Sequence, residues 1–215
     1  MITIEEVVKS FHDNQVMDYK EWLAKIIEEN SGAGGNTEIL NFLRVWKPKI
    51  GILCGSFNMF HSGHMNILLK AEKIFDKVIL CVGINPEKRV DFPTDGIPKT
   101  LHKTRQVLTY TSTLPALIEG FGYDVTLIRG LRNSTDLKYE LKQLRYMQDF
   151  KSDISVINIC CDREFEHIAS SDIRNNISAF GTYHRSPYEN KDNCDAFRKK
   201  IAEKYLPFPL SEYSL

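Results

Sequence analysis

The chain has 215 residues, which suits one domain of moderate size with extensions and is long enough to bury a substantial core. Lysine plus arginine and aspartate plus glutamate both number 28, so the formal charge is zero and gives no general attraction to nucleic acid or an anionic membrane. No apolar run is long enough to cross a bilayer, and the N-terminus lacks the basic and apolar regions of a signal peptide. These features predict a soluble, cytoplasmic protein.

The five cysteines are an odd number. Four of them lie in apolar runs that are typical of strands: Cys54, Cys81, Cys160 and Cys161. We therefore expect reduced thiols in the core rather than disulfides or metal ligands.

Residues 1–46 are predicted to form a helical N-terminal extension, separate from residues 47–215. Their apolar residues recur at helical spacing in three groups: Val7, Val8 and Phe11; Trp22, Leu23, Ile26 and Ile27; and Ile39, Leu40, Phe42 and Leu43. A flexible break over residues 31–36 interrupts them. The extension carries no chemical motif, so a helical cap on the rest of the protein or on a neighbouring subunit is the simpler interpretation. A docking element for a partner protein is the alternative.

From Lys49 onward, apolar runs of strand length alternate with helical patterns, which predicts a parallel sheet with crossover helices. The predicted strands cover residues 50–53, 77–83, 106–110, 125–128 and 154–161. The predicted helices cover residues 63–75, 115–121 and 136–150, then one from Ser170 through Ile177 and another in the tail. Residues 90–104 are rich in Pro, Gly, Asp and Lys and predict a loop, either a lid or, as we favour, a shortened connection.

The first strand of this pattern leads directly into a pair of histidines. His61 and His64 follow a turn-prone Asn58 and stand where a strand passes into a helix N-terminus. Free backbone N–H groups and the positive end of the helix dipole make such a junction suitable for a phosphate. A histidine there can donate a hydrogen bond to a phosphoryl oxygen as negative charge develops. The stretch is therefore a candidate site of phosphoryl or nucleotidylyl transfer.

The same stretch resembles the signature of a known enzyme superfamily. Gly55-Ser56-Phe57 followed by His61-Ser62-Gly63-His64 is similar to the motif of the HxGH nucleotidylyltransferases, which share a Rossmann-like α/β fold. Three later stretches resemble, in the same order, the motifs of phosphopantetheine adenylyltransferase: Asn85-Pro86-Glu87-Lys88-Arg89; Arg129-Gly130-Leu131-Arg132 with Asp136 and Glu140; and Ile168-Ala169-Ser170-Ser171. The resemblance covers about residues 49–181 and implies a Rossmann-like parallel sheet flanked by helices.

This resemblance implies adenylyl transfer from ATP to 4′-phosphopantetheine, giving dephospho-coenzyme A and pyrophosphate. It assigns catalytic roles to His64 and Lys88, and acceptor binding to Ser56, Lys88 and Arg129. ATP binding is assigned to Ser56, Phe57, His61, His64, Gly130, Arg132, Glu140, Ser170 and Ser171. It also implies Mg²⁺ carried on the ATP phosphates, with no protein metal ligand, and assembly as a homo-oligomer.

Several alternatives accompany this assignment. The spacing of His61 and His64 permits zinc, although no nearby Cys, Asp or Glu completes a ligand set. Arg129 and Arg132 could instead be solvated surface charges. Ser170 and Ser171 could serve only to cap the N-terminus of a helix. His61 replaces a usual threonine, and histidine there is typical of relatives that act on nicotinamide mononucleotide or glycerol phosphate. The stretch Ser170-Ser171-Asp172-Ile173-Arg174 favours the same relatives. A non-catalytic nucleotide-binding module, with the N-terminal helices as its working surface, is the rival from another class.

Overall fold

The computed structural model describes residues 2–32, 34–84, 96–182 and 191–213. Within them the chain forms one five-stranded parallel sheet with helices on both faces, which confirms the predicted fold class. The strands are β1 (Ile50–Gly55), β2 (Lys77–Gly83), β3 (Val107–Tyr110), β4 (Thr126–Leu131) and β5 (Val156–Cys160). The helices are α1 (Ile4–Asp13), α2 (Tyr19–Asn30), α3 (Thr37–Val45), α4 (Ser62–Ala71), α5 (Lys99–Thr104), α6 (Leu114–Phe121), α7 (Ser134–Gln148), α8 (Ser170–Thr182) and α9 (Lys191–Tyr205).

The strand order β3-β2-β1-β4-β5 fixes where a ligand is expected. The chain first adds strands on one side of β1 and then crosses to its other side, so the order reverses between β1 and β4. In open parallel sheets this switch point leaves a crevice at the carboxyl ends of the two strands. Both sequence motifs of interest, the one after β1 and the one at the end of β4, therefore meet at the same edge of the sheet.

Successive strand residues face opposite sides of the sheet and build two cores. On one side Leu53 and Ile128 pack with α4, α8 and the C-terminal tail. On the other side Ile52 and Leu127 pack with the N-terminal helices and α6. Both faces are thus covered, as parallel sheets require.

The three N-terminal helices cover the second of these faces. Each begins at a side chain that accepts a hydrogen bond from a first-turn amide: Thr3, Asp18 and Asn36. Phe11 and Trp22 are buried against the sheet, with ring centroids 5.0 Å apart. Lys77, only 1% exposed at the start of β2, donates from Nζ to the carbonyls of Asn14 (3.2 Å) and Met17 (2.6 Å). The turn between α1 and α2 is therefore tied directly to the sheet.

The predicted elements agree with the observed ones in type and order except in one place, although several of their ends differ by one to four residues. Residues 99–104 form α5, although the sequence predicted a loop up to Thr104. The error arises because this six-residue helix buries a single apolar side chain, Leu101, and so has no apolar repeat. Residues 90–95 of the same predicted loop lie outside the described part of the chain.

The expectation of four core thiols is correct for two of them, partly correct for a third and wrong for the fourth. Cys54 and Cys81 are buried and face each other across β1 and β2. Cys161 is partly exposed but packs against the core, whereas Cys160 is exposed, so the prediction is wrong for Cys160. Both residues lie at the end of β5, an edge strand whose apolar residues are less completely buried than those of the central strands.

The tail after α9 returns to the sheet. Leu206 and Tyr213 are buried in the same core as α4, 7% and 4% exposed.

None of the helices in the described ranges is both long enough and apolar enough to cross a membrane.

Candidate active site

The loop between β1 and α4, residues 56–61, is called the histidine loop below. Phe57 within it has φ of +39°, a left-handed conformation that costs a non-glycine residue of order 1 kcal/mol. Its buried ring lies edge-on to His64, with centroids 5.1 Å apart. Gly63 separates the histidines because a Cβ there would come within 3.0 Å of Cε1 of His61. The loop is therefore a tightly packed turn, and the buried ring of Phe57 supports it by packing against His64.

The two imidazoles are stacked, with ring centroids 3.8 Å apart and planes at 20°. Nδ1 of His61 accepts a hydrogen bond from the N–H of Gly63 at 3.1 Å and caps α4. Nδ1 of His64 accepts one from the N–H of His61 at 3.4 Å. A nitrogen that accepts carries no proton, so this hydrogen-bond network assigns the proton of each neutral ring to Nε2. Both histidines are thus set to donate from Nε2.

The surroundings keep both rings neutral at physiological pH. Burial, with a smaller effect of the nearby positive charge of Arg132, lowers the pKa of His61 to about 4. Burial lowers the pKa of His64 well below its usual value, and the neighbouring His61 and Arg132 lower it further. A neutral imidazole that donates through Nε2 stabilises developing negative charge without transferring a proton.

Arg132 follows the end of β4 and is oriented by Asp136 on the first turn of α7. Its backbone N–H donates to Oδ2 of Asp136 at 2.9 Å and its Nε at 3.0 Å, while Nη2 donates to Oδ1 at 3.2 Å. Nη1 donates to the carbonyl of Ile168 at 3.4 Å, just before α8. The side chain keeps 42% exposure, so the guanidinium is held in place but still accessible to an anion.

Arg129 has a different environment, on the opposite face of the sheet from Ile128 and Gly130. Nε and Nη2 donate to the two carboxylate oxygens of Glu140 at 2.6 and 2.7 Å, and Nη1 donates to the carbonyl of Cys54 at 3.1 Å. Burial would lower the pKa of Arg129, but the hydrogen bonds and charge of Glu140 raise it above the usual value. Both carboxylate oxygens of Glu140 therefore bind Arg129 and fix the orientation of its guanidinium group.

The two serines of the predicted ATP site begin α8. Ser170 donates from Oγ to the carbonyl of Met59 in the histidine loop at 2.9 Å, so its hydroxyl proton is used within the protein. The Ser171 hydroxyl lies 3.4 Å from Oδ1 of Asp172 and is exposed. The first amides of a helix have no partner inside it, which makes this helix start suitable for phosphate.

These elements surround a cavity of about 560 Å³ at the switch point. Eight of the predicted site residues line it: Ser56, His61, His64, Gly130, Arg132, Glu140, Ser170 and Ser171. Phe57 and Arg129 lie behind the lining, Phe57 under His64 and Arg129 against Glu140. Lys88 and the rest of the Asn85–Arg89 motif lie outside the described residues.

The cavity also contains residues that the sequence reasoning did not assign, among them Asn58, Tyr139 and Arg174. Arg174 was noted only as part of the stretch that favours the alternative acceptors; it stands one helical turn after Ser170, and that i, i+4 spacing is the signal that would have assigned it to the site. The amide of Asn58, oriented to satisfy its neighbours, accepts from Nη1 of Arg174 at 3.1 Å and donates to the carbonyl of Ser56 at 3.1 Å. No local pattern distinguishes Asn58 or Tyr139.

The cavity does not provide a set of metal ligands. Across the described ranges no group of three or more His, Cys, Asp or Glu side chains is arranged to hold a metal ion. Nδ1 of each histidine already accepts a backbone N–H, and Asp136 and Glu140 each bind an arginine. The zinc alternative has no third ligand in this part of the chain.

A Rossmann-like sheet with a histidine pair at its switch point and a helix start beside it is the arrangement expected of a nucleotidyltransferase site. The cytidylyltransferase-like family model matches residues 52–179. The chain belongs to this family and is a nucleotidyltransferase, so the alternative of a non-catalytic module is not retained.

The curated proteins that match this chain include phosphopantetheine adenylyltransferases. Phosphopantetheine adenylyltransferase of Porphyromonas gingivalis is 30% identical over 143 residues, which span 61% of this chain and 89% of the relative. The Streptococcus pneumoniae protein of the same name is 31% identical over 133 residues, covering 59% and 82%. A solved protein from Vibrio parahaemolyticus, described as a nicotinate-nucleotide adenylyltransferase, shares 22% identity at a TM-score of 0.44 and covers 62% of this chain and 88% of that one. The resemblance to phosphopantetheine adenylyltransferases predicted from the motifs is confirmed.

Proposed function

We propose that the protein transfers the adenylyl group of ATP to 4′-phosphopantetheine, forming dephospho-coenzyme A and pyrophosphate. The observation that carries this proposal is the meeting of His64 and Arg132 in one cavity, in a chain whose relatives bear the name of that activity. An acceptor phosphate is already ionised at neutral pH, so the reaction needs alignment and charge stabilisation rather than a general base.

In the proposed mechanism an oxygen of the acceptor phosphate attacks the α-phosphorus of ATP. A new P–O bond forms while the bond to the β-phosphate oxygen breaks, and pyrophosphate leaves with the electron pair. The Nε2–H of His64 donates to a non-bridging oxygen of the α-phosphate, where charge accumulates. Removal of one such fixed donor typically costs about 100- to 1,000-fold in rate.

The leaving pyrophosphate is assigned to Arg132 and to the start of α8. Arg132 is accessible and rigidly held by Asp136, so its guanidinium can bind the β- and γ-phosphates without losing side-chain freedom. Ser171 contributes a hydroxyl and a helix-terminal amide at the same end of the cavity.

The acceptor phosphate is assigned to Ser56, which lines the cavity, with Lys88 and with Arg129, which lies just behind the lining against Glu140. The three hydrogen bonds of the Arg129 side chain use three of its five N–H donors, so two remain for a phosphate. Glu140 fixes the plane of this guanidinium, which would set the direction of the acceptor.

Mg²⁺ is proposed to enter with ATP, where it would neutralise the charge of the leaving pyrophosphate. The donor set of the cavity supports this arrangement. Carboxylates are the side chains that Mg²⁺ prefers, and the two in the cavity, Asp136 and Glu140, are each paired with an arginine.

A homo-oligomer is also proposed. Helix α7, beside the cavity, carries large apolar side chains that are exposed in the single chain: Leu137, Tyr139, Leu141 and Tyr146. Leu137 and Leu141 lie on one side of the helix and Tyr139 and Tyr146 on the other, and exposed apolar surface of this kind favours an interface. Size-exclusion chromatography with light scattering measures the molar mass of the protein in solution. A monomeric mass at micromolar concentration would contradict the proposal.

His61 favours one second candidate function, transfer to nicotinamide mononucleotide or to glycerol phosphate. The histidine at this position is typical of those relatives, and here it stacks on His64 and lines the same cavity.

Incubation of the purified protein with Mg²⁺, ATP or CTP and each of the three acceptors, with pyrophosphate as the readout, separates the candidates. We expect release with ATP and 4′-phosphopantetheine to exceed that with every other pair by at least about 100-fold. Faster release with another acceptor would replace the proposed substrate, and release with none would refute the proposal.

A further inference from the structure

The C-terminal tail reaches the backbone of the histidine loop. The hydroxyl of Tyr213 donates to the carbonyl of Phe60 at 2.8 Å, and both groups are buried. Ser62, on the other side of His61, donates from Oγ to the carbonyl of Tyr205 at 2.9 Å. Residues 205–213, the end of α9 and the tail, therefore bind the chain immediately before and immediately after His61.

The first of these contacts is linked to the catalytic imidazole through a single peptide group. The carbonyl of Phe60 and the N–H of His61 belong to the same peptide unit, which is planar and rigid. The Tyr213 hydroxyl binds its oxygen, and Nδ1 of His64 accepts from its nitrogen at 3.4 Å. Hydrogen bonds in such a chain polarise one another, so a donor at the carbonyl makes the N–H a stronger donor.

This chain of contacts bears on the tautomer of His64. The N–H of His61 keeps Nδ1 of His64 unprotonated and thereby keeps the proton on Nε2 of this ring, which is part of the cavity lining. Without the Tyr213 hydroxyl the peptide loses a restraint on its plane and a source of polarisation. The ring then adopts the tautomer protonated on Nδ1 more often, and that form presents no donor from Nε2.

The tail is itself well anchored, so it can serve as a fixed support. Glu212 accepts from the amide and the hydroxyl of Thr100, both at 2.9 Å, at the start of α5. Lys99 donates to the carbonyl of Ser211 at 3.3 Å. The N–H of Phe60 donates to the carbonyl of Gly96 at 3.1 Å, which joins the histidine loop to the segment before α5.

We infer that residues 205–213 orient the histidine loop for catalysis and that Tyr213 is a positioning residue for His64. The inference rests on the proposed role of His64. It assigns a function to a part of the chain beyond the family match, which ends at residue 179.

The test compares Tyr213→Phe with Tyr123→Phe in the full-length protein. Tyr123 is a matched control because its hydroxyl also makes one intramolecular hydrogen bond, to Oδ2 of Asp18 at 3.1 Å, next to the N-terminal helices. The first readout is the ¹⁵N chemical shifts of the histidine rings at pH 7 without substrate. We expect the Nδ1 and Nε2 shifts of His64 to move toward each other in Tyr213→Phe and to stay at wild-type values in Tyr123→Phe.

The second readout is pyrophosphate release from ATP and 4′-phosphopantetheine. We expect kcat of Tyr213→Phe to fall about 10-fold or more with KM for ATP within about 2-fold, and Tyr123→Phe to match the wild type. Ser62→Ala, which removes the second tail contact, is expected to lower kcat in the same direction and serves if Tyr213→Phe does not fold.

The outcomes separate this inference from the proposed function. If the wild type releases no pyrophosphate, the proposed function fails while the ring shifts still report on Tyr213. If the wild type is active and Tyr213→Phe retains wild-type shifts and kcat, the positioning role is refuted.

Discussion

The Arg129–Glu140 pair provides a direct test of how the site is built. Their side chains are 19% and 11% exposed, so Glu140→Gln removes the charge that compensates a largely buried guanidinium. One of the two hydrogen bonds at 2.6 and 2.7 Å is also lost, because the new amide nitrogen faces a donor. Breaking a buried pair from one side costs about 3–5 kcal/mol. The remaining amide oxygen places Glu140→Gln near the lower value, about 3 kcal/mol, or roughly 6–12 °C in Tm for a chain of this size.

Urea unfolding at pH 7, followed by far-UV circular dichroism, measures this loss of unfolding free energy. Glu203→Gln is the matched control, since Glu203 pairs with Lys199 at 3.8 Å with 63% and 77% of the side chains exposed. That variant is expected to change stability by less than about 0.5 kcal/mol. Should Glu140→Gln also lose less than about 1 kcal/mol, Arg129 is not held in a desolvated pair, and the argument for a fixed acceptor guanidinium fails.

Two further predictions follow from buried titratable groups. The pKa of His61 is about 4 in the folded protein and 6.5 in the unfolded chain, so the unfolded chain binds more protons between these pH values. The free energy of unfolding therefore falls as the pH drops from 6.5 to 4, by about 3 kcal/mol over the whole interval. His61→Asn, which retains a helix-capping oxygen, should flatten the dependence of the urea midpoint on pH between 7 and 5; an unchanged slope would contradict the lowered pKa. Burial, opposed by Asp18, lowers the pKa of Lys77 from 10.5 to about 8, so unfolding free energy should rise from pH 8 to 9.5 by up to about 2 kcal/mol relative to Lys77→Met. Parallel urea curves for the two proteins across that interval would refute it.

The order of strands and helices was predictable because burial on both faces of a parallel sheet leaves apolar runs such as Ile50 to Leu53 in the sequence. The ends of the strands were less predictable. Strand β4 continues through Arg129 to Leu131, although the apolar run stops at Ile128. An apolar pattern reports burial, whereas a strand ends where its backbone pairing ends, and polar residues at the sheet edge still pair with β5.

The site was predictable to the extent that its residues occur in short motifs. His64 and Arg132 were found in this way, and the sheet brings them to one cavity. The contacts of Tyr213 were not predictable, since a tyrosine near a Pro-containing end has no local pattern and its partner Phe60 is 153 residues away in sequence. The same limitation applies to α5, whose position depends on contacts with Glu212.

Formation of dephospho-coenzyme A in a single turnover, with excess enzyme, ATP and Mg²⁺ over 4′-phosphopantetheine, tests the central claim most directly. His64→Ala is compared with the wild type and with His12→Ala, which removes a histidine that is 43% exposed on α1. We predict product from the wild type and His12→Ala, a rate about 100- to 1,000-fold lower for His64→Ala, and an ATP Kd within about 3-fold in all three. No product from the wild type, or a wild-type rate from His64→Ala, would contradict the assignment of His64 as the donor to the α-phosphate.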